Sequence, residues 1–255
     1  VQLPSAAQVE TLCAQARQSL KAGAFGFSAG LAYAPGVFAQ NDELSTLLHV
    51  VAEAERVFAV HGRAYSWVSP FYKPMFLGPA HNLRSVRELL ELAQASGVSI
   101  QLSHQIFVGR RTWRTYRTVL DEIDCAIEAG ADVALDAFPY TMGNSTIKVV
   151  FPDWFLDGFE QNVNHPRALR RLKREIWLLR QALGLGYADI TLLYAQAPEM
   201  ASLEGLDFAA IARRLNLPAF ESYMHVARLS GGKARVLLGT YSGDGAYNDP
   251  LRAVQ

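Results

Sequence analysis

The sequence predicts an α/β protein in which parallel strands alternate with helices, as part of an eight-stranded (β/α)8 barrel. Three observations predict it. Short runs of β-branched and apolar residues, such as Arg-Val-Phe-Ala-Val-His61 and Val-Ser-Ile-Gln-Leu-Ser-His104, recur with helical patterns between them. Those helices run to about twelve to seventeen residues, the length that carries a right-handed crossover between parallel strands. Two of the strand runs end in histidine, and a side chain at the C-terminal tip of a parallel strand points into the crevice where such folds do chemistry.

The elements follow in order. Val9–Lys21 reads as an amphipathic helix, and Gly23–Leu31 as a strand whose glycines allow close backbone packing. Asn41 or Asp42 caps a helix to about Arg56, with Leu44, Leu47, Leu48 and Val51 on one face. Strand Val57–His61 is next, then a loop of about twenty residues rich in Pro, Gly and aromatics. This loop lies where barrel enzymes place substrate-binding segments, so deleting Tyr65–Pro79 should change specificity more than stability. Asn82 caps a helix that Gly97 closes. Strand Val98–Ser103, a helix from Thr112 to about Ala129 and strand Val133–Phe138 complete the clear series. Beyond Tyr140 the pattern loosens. Thr146–Phe151, Asp189–Ala195 and Ala234–Thr240 are strand candidates, and helices span His165–Leu183, Phe208–Leu215 and Ala219–Leu229.

Composition excludes several classes. Of 255 residues, half are hydrophobic and 19% charged, and 24 basic residues balance 24 acidic ones, so electrostatics give no case for a nucleic-acid partner. No apolar stretch reaches the ~18 residues of a membrane span, and a cytoplasmic protein fits. Cys125 shares an apolar helix pattern with Val119, Ile123 and Ile127, so a buried reduced thiol is expected.

The strand count has a consequence. Four clear strands cannot close an eight-stranded barrel, and a half-barrel leaves its edges bare. The expectation is a piece of a longer protein: residues 1–255 as one partial barrel domain, with 141–230 as an insertion or peripheral helices.

Four motifs then converge on one family. The run Gly23-Ala-Phe-Gly-Phe-Ser-Ala-Gly-Leu-Ala-Tyr-Ala-Pro-Gly36, His61-Gly62-Arg63, Ser103-His104 and Asp136-Ala-Phe-Pro-Tyr140 stand in sequence with helices between them. Together they resemble the N-acyl-D-amino-acid deacylases of the amidohydrolase superfamily, over roughly residues 10 to 155. The resemblance implies a partial metal-dependent hydrolase (β/α)8 barrel that cleaves the amide of an N-acyl-D-amino acid, with zinc as cofactor and a small-molecule substrate as partner. By match, His61 and His104 are the zinc-ligating histidines. Zinc suits the chemistry because it lowers the pKa of bound water toward ~7 and polarises the amide carbonyl. An aspartate then moves the proton to the leaving amine.

The remaining candidates are less determined. Arg63 sits within reach of a substrate carboxylate or a ligand-orienting partner, or else forms a salt bridge on the barrel rim. Tyr140 is a candidate phenol donor to substrate, and Asp136 a supporting or structural carboxylate. Where the family often has a carboxylate-binding lysine this chain has Ile106, and Arg110 or Arg111 can substitute by bidentate grip. Asp244 invites assignment as the family's catalytic aspartate, but its surroundings match the segment before that position, which puts the aspartate beyond Gln255. The general base is therefore unassigned. His49, His81, His165 and His225 read as structural or surface residues. The family's first-strand His-x-His and bridging cysteine have no counterpart here.

Besides the hydrolase, two other functions are weighed. The chain can be a catalytically inactive remnant acting only within a larger assembly. A metal-free barrel, an aldolase or isomerase, would need a catalytic lysine or a phosphate-binding glycine loop at late strand tips, and neither is evident.

Overall fold

Short runs rich in apolar residues lay down parallel strands in the computed structural model, which describes residues 3–33, 35–69, 71–74 and 77–241. The described chain divides into two compact units, residues 3–108 with 112–139, and residues 109–111 with 140–241.

The first unit carries β1 (Gly26–Gly30), β2 (Val57–His61), β3 (Ser99–Gln105) and β4 (Val133–Ala137), all parallel and in the order β1-β2-β3-β4. Before and between them run α1 (Ala6–Lys21), α2 (Asn41–Glu53), α3 (His81–Ser96) and α4 (Tyr116–Glu128), each packed on the next. Register explains the two faces of the sheet. Phe27, Phe58, Ile100 and Val133 align across the strands, as do Ala29, Val60, Leu102 and Leu135. These two rows pack into the core shared with the helices. By the two-residue period of a strand, the intervening row Ser28, Ala59, Gln101 and Ala134 lies on the opposite face, which is small and polar. His61 shares that face.

Several helix starts differ from the sequence reading. Gln40, not Asn41 or Asp42, precedes α2 and makes no side-chain cap bond. Helix α3 begins at His81, so Asn82 lies inside its first turn, where its side-chain amide donates to Thr115 Oγ1. The backbone N–H groups of His81 and Asn82 donate instead to the Trp67 and Ser66 carbonyls, so loop backbone satisfies this helix end. At the other end Gly97 adopts the left-handed cap (φ 68°) that its position predicts. Cys125 is exposed, against expectation, while Cys13 is buried; both are free thiols. Helix α4 buries Val119, Ile123 and Ala126. That stripe follows the helical period and leaves Cys125 and Ile127 at its margin.

The second unit is a three-stranded antiparallel sheet of β5 (Gly143–Thr146), β6 (Ile190–Tyr194) and β7 (Arg235–Leu238), in the order β5-β7-β6. Its helices are α5 (Asp153–Leu156), α6 (Phe159–Asn162), α7 (Pro166–Leu183), α8 (Phe208–Leu215) and α9 (Ala219–Leu229). They enclose a separate core around Phe155, Leu172, Leu192, Phe208 and Tyr223. The expected strand Thr146–Phe151 is instead the end of β5 followed by a 3-10 turn, Ile147–Val150. Ile147 and Val150 are buried three residues apart, a helical spacing that a strand cannot satisfy. Among the described residues no helix is long and apolar enough to cross a membrane.

Burial separates two phenylalanines near β1 and β2. Phe58 is fully buried, whereas Phe25 is 94% exposed. Phe58→Ala should lower unfolding free energy by about 3–5 kcal/mol and Phe25→Ala by no more than about 0.5 kcal/mol, as read from urea denaturation midpoints.

Candidate metal centre

The two histidines singled out by the sequence meet at one point. His61 closes β2 and His104 lies near the end of the adjacent β3. Their rings stand edge to face with centroids 4.6 Å apart, and His61 Nδ1 lies 2.9 Å from His104 Nε2. A proton on one nitrogen therefore bridges to the lone pair of the other. Burial, and after it the neighbouring His104, pushes the His61 pKa down to about 4, so its imidazole is neutral at physiological pH.

Strand parity alone would not produce this meeting. Ile100 and Leu102 face the helix layer, and a regular strand would turn His104, two residues on, the same way. The pairing of β3 with β4 breaks between Leu102 and Gln105: Leu102 aligns with Leu135, and Gln105 with Ala137. Two residues of β3, Ser103 and His104, thus stand against Asp136 alone, which is a β-bulge. His104 takes up the irregularity with a left-handed backbone (φ 39°). Its N–H donates to Asp136 Oδ1 at 2.6 Å, and the Gln101 side-chain amide donates to Oδ2 at 2.6 Å. Beyond the bulge, Gln105 is buried with its Nε2 lacking a hydrogen-bond partner.

Tyr65, which the sequence reading left within the loop, braces both strand ends. Its hydroxyl accepts from the Gly62 N–H at 2.7 Å and donates to the Ser103 carbonyl at 3.2 Å. Its ring meets His61 edge-on at 4.9 Å and lies 5.6 Å from His104. Burial raises the Tyr65 pKa, which keeps the phenol protonated as this geometry requires. The Tyr33 ring also lies against His61, at 5.2 Å between ring centroids. Gly30 makes room for it, since a Cβ there would overlap the Tyr33 ring at 2.1 Å.

The loop after His61 is built into the unit rather than appended to it. Ala64 N–H donates to Ser85 Oγ, and Ser69 N–H donates to His81 Nδ1 at 2.8 Å. His81 is therefore a buried anchor, as expected, although its Nε2 lacks a partner. Removing Tyr65–Pro79 would take away the Ser69 tie, the Ser66 and Trp67 carbonyls that satisfy the start of α3 and the Tyr65 hydroxyl bonds, so the deletion would cost stability as well.

Of the two readings for Arg63, the salt bridge matches the geometry. The guanidinium is buried and forks onto Glu88, with Nη2 2.9 Å from Oε1. It also donates to the Val37 and Ala39 carbonyls, and Tyr72 donates its hydroxyl to the same Glu88 carboxylate. Arg110 belongs to the second unit, where its two Nη atoms reach Asp189 at 2.6 and 2.8 Å. Burial opposes the Asp189 charge, but the Arg110 and Gly186 hydrogen bonds hold its carboxyl below the usual range. Tyr140 opens the second unit with an exposed ring. Asp244 lies outside the described residues. His165 caps α7 through the Ala168 N–H, and His49 bonds the Ser45 carbonyl within α2.

Paired imidazole nitrogens are the donor type zinc prefers, and they supply two positions of a tetrahedral set. Among the described residues no group of three or more His, Cys, Asp or Glu side chains is placed to hold a metal. The pair fits zinc as two ligands.

Comparison with known proteins bears out the family resemblance. The chain is 35% identical over 146 residues to the N-acyl-D-glutamate deacylase of Alcaligenes xylosoxydans xylosoxydans, covering 57% of this chain and 27% of that protein. It is 26% identical over 133 residues to a D-aminoacylase of the same organism, covering 52% of this chain and 25% of the relative. Among solved structures, N-acyl-D-glutamate deacylase from Bordetella bronchiseptica, complexed with zinc and a phosphonate mimic of the tetrahedral intermediate, superposes with a TM-score of 0.64. That match is 23% identical and covers 98% of this chain and 41% of the other. A D-aminoacylase structure described as defining a subset of amidohydrolases gives 0.57 at 19% identity, over 92% of this chain and 38% of that one. No family model matches the chain. The fold is thus that of part of an amidohydrolase barrel, and the chain spans about a quarter of the length of the curated relatives it matches.

The Arg63 assignment has a direct test. Arg63→Ala leaves the Glu88 charge buried and should lower unfolding free energy by about 3–5 kcal/mol in guanidinium melts. Replacing both partners, Arg63→Met with Glu88→Leu, should recover part of that loss. An arginine that served substrate alone would leave the unfolding midpoint where it was.

Proposed function

We propose that this chain supplies the two-histidine portion of a zinc-dependent amide hydrolase that converts N-acyl-D-amino acids to a carboxylate and a D-amino acid. The observation that carries the reading is the convergence of His61 Nδ1 and His104 Nε2 to 2.9 Å at adjacent strand ends. It is supported by the names of the curated relatives and by the zinc in the Bordetella deacylase structure.

His61 and His104 would hold the ion, which when bound supplies a water of pKa near ~7 and polarises the substrate carbonyl. The rest of this chain's work is orientation. Tyr65 keeps the ends of β2 and β3 in register, and its ring restricts both imidazoles. The Tyr33 and Tyr65 rings lie against His61, at 5.2 and 4.9 Å between centroids. The other ligands and the general base are assigned to parts of the whole protein outside the described residues. Two free cysteines accord with a reducing cytoplasm, where a small-molecule substrate would be met.

A second reading is favoured by one observation, the absence of a third convergent ligand among the described residues. On that reading the 255-residue chain is an inactive remnant that functions only within a larger assembly.

The two readings part in a zinc and turnover experiment. In the full-length protein, His61→Ala and His104→Ala should each lower bound zinc to well below one ion per chain and abolish hydrolysis of N-acetyl-D-glutamate. The 255-residue chain alone should bind zinc weakly and turn over nothing. Full zinc content and activity in either histidine variant would contradict the hydrolase assignment. Zinc-independent turnover by the wild type would do the same.

A further inference from the structure

The bulge at His104 has an identifiable cause. Regular alternation after Ile100 and Leu102 would send the His104 side chain into the helix layer, away from His61. What reverses it is one extra residue in β3 opposite Asp136. The Asp136 carboxylate occupies this irregularity from both sides: Oδ1 receives the His104 N–H and Oδ2 receives the Gln101 side chain. Gln101 and Asp136 both lie on the face opposite the packed rows, as period two requires. The carboxylate thereby satisfies an amide that the disrupted ladder leaves without its usual carbonyl.

We propose that Asp136 is the positioning residue that turns His104 onto the metal-facing side of the sheet. It touches neither substrate nor ion; it acts through the His104 backbone. The proposal rests on the reading that His61 and His104 serve one metal, and it makes a claim about the metal-free protein as well. Without the carboxylate, β3 gains by returning to regular pairing, which withdraws the His104 ring from His61.

The test uses Asp136→Ala and Asp136→Asn in the full-length protein, with cobalt as the probe. Asn keeps an oxygen for the His104 N–H, and the Gln101 carboxamide can turn to offer its own oxygen to the new NH2. Cobalt affinity should fall about 10–100-fold in the Ala variant and recover most of the loss in the Asn variant. In the metal-free protein, the His104 amide should exchange with solvent at least about tenfold faster in the Ala variant than in the wild type. Thermal melts establish that each variant is folded at the assay temperature. Unchanged cobalt affinity in a folded Ala variant overturns the proposal, even if its melting temperature drops. So does an Asn variant as weak as Ala, because charge rather than geometry would then be responsible. If the wild type binds no cobalt, the metal reading fails on its own, and the amide exchange decides the role of Asp136.

Discussion

The hydrogen bond from the His104 amide to Asp136 is the constraint on which the candidate site depends. Two strand-end histidines on neighbouring parallel strands do not automatically face each other, because a strand alternates its side chains. β2 brings His61 to the polar face by regular alternation, counting from buried Phe58 and Val60. On β3 the same count, from buried Ile100 and Leu102, brings His104 to the wrong face. The extra residue opposite Asp136 corrects the count, and only then can the two imidazoles approach to 2.9 Å.

The correction is energetically uphill locally. A non-glycine residue at φ 39° is disfavoured by roughly 1–3 kcal/mol, and the buried, unpartnered Gln105 amide adds to that. Against this stand the charged hydrogen bonds to Asp136 and the Tyr65 brace between Gly62 and Ser103. Arg63 contributes by tying α3 to the segment after β1 through Glu88 and two carbonyls. Irregular geometry concentrated at one place and held by surrounding polar contacts is what a functional site leads one to expect. On the opposite face the rows Phe27, Phe58, Ile100, Val133 and Ala29, Val60, Leu102, Leu135 are apolar and in regular register.

Much of the first unit was legible in the sequence because each element announces itself by period. The apolar run at Val57–His61 becomes β2, and Leu44, Leu47, Leu48 and Val51 become the buried stripe of α2. What was not legible depended on partners distant in sequence. Asn82 resembles a cap, but the carbonyls of Ser66 and Trp67 take that role and leave its amide to Thr115. Arg63 allowed two readings until Glu88, twenty-five residues away, was placed beside it. Tyr65 carried no motif, although a tyrosine four residues after a strand-end histidine is the kind of signal that could have found it. The antiparallel sheet of the second unit joins segments more than forty residues apart, and nothing in their local pattern gives the pairing. The bulge is the instructive case: the Ser-His motif located the residue, but nothing in the local pattern shows the extra residue opposite Asp136 that turns its side chain.

That case also provides the most direct check on the account, through proton contacts of the His104 ring in the metal-free, isotope-labelled protein. The structure predicts nuclear Overhauser contacts from this ring to the rings of His61 and Tyr65, which lie 4.6 and 5.6 Å away between centroids. Contacts to Val119 and Ile123 of α4 in their place would mean that β3 runs regularly into the helix layer, and the two histidines would not form one site.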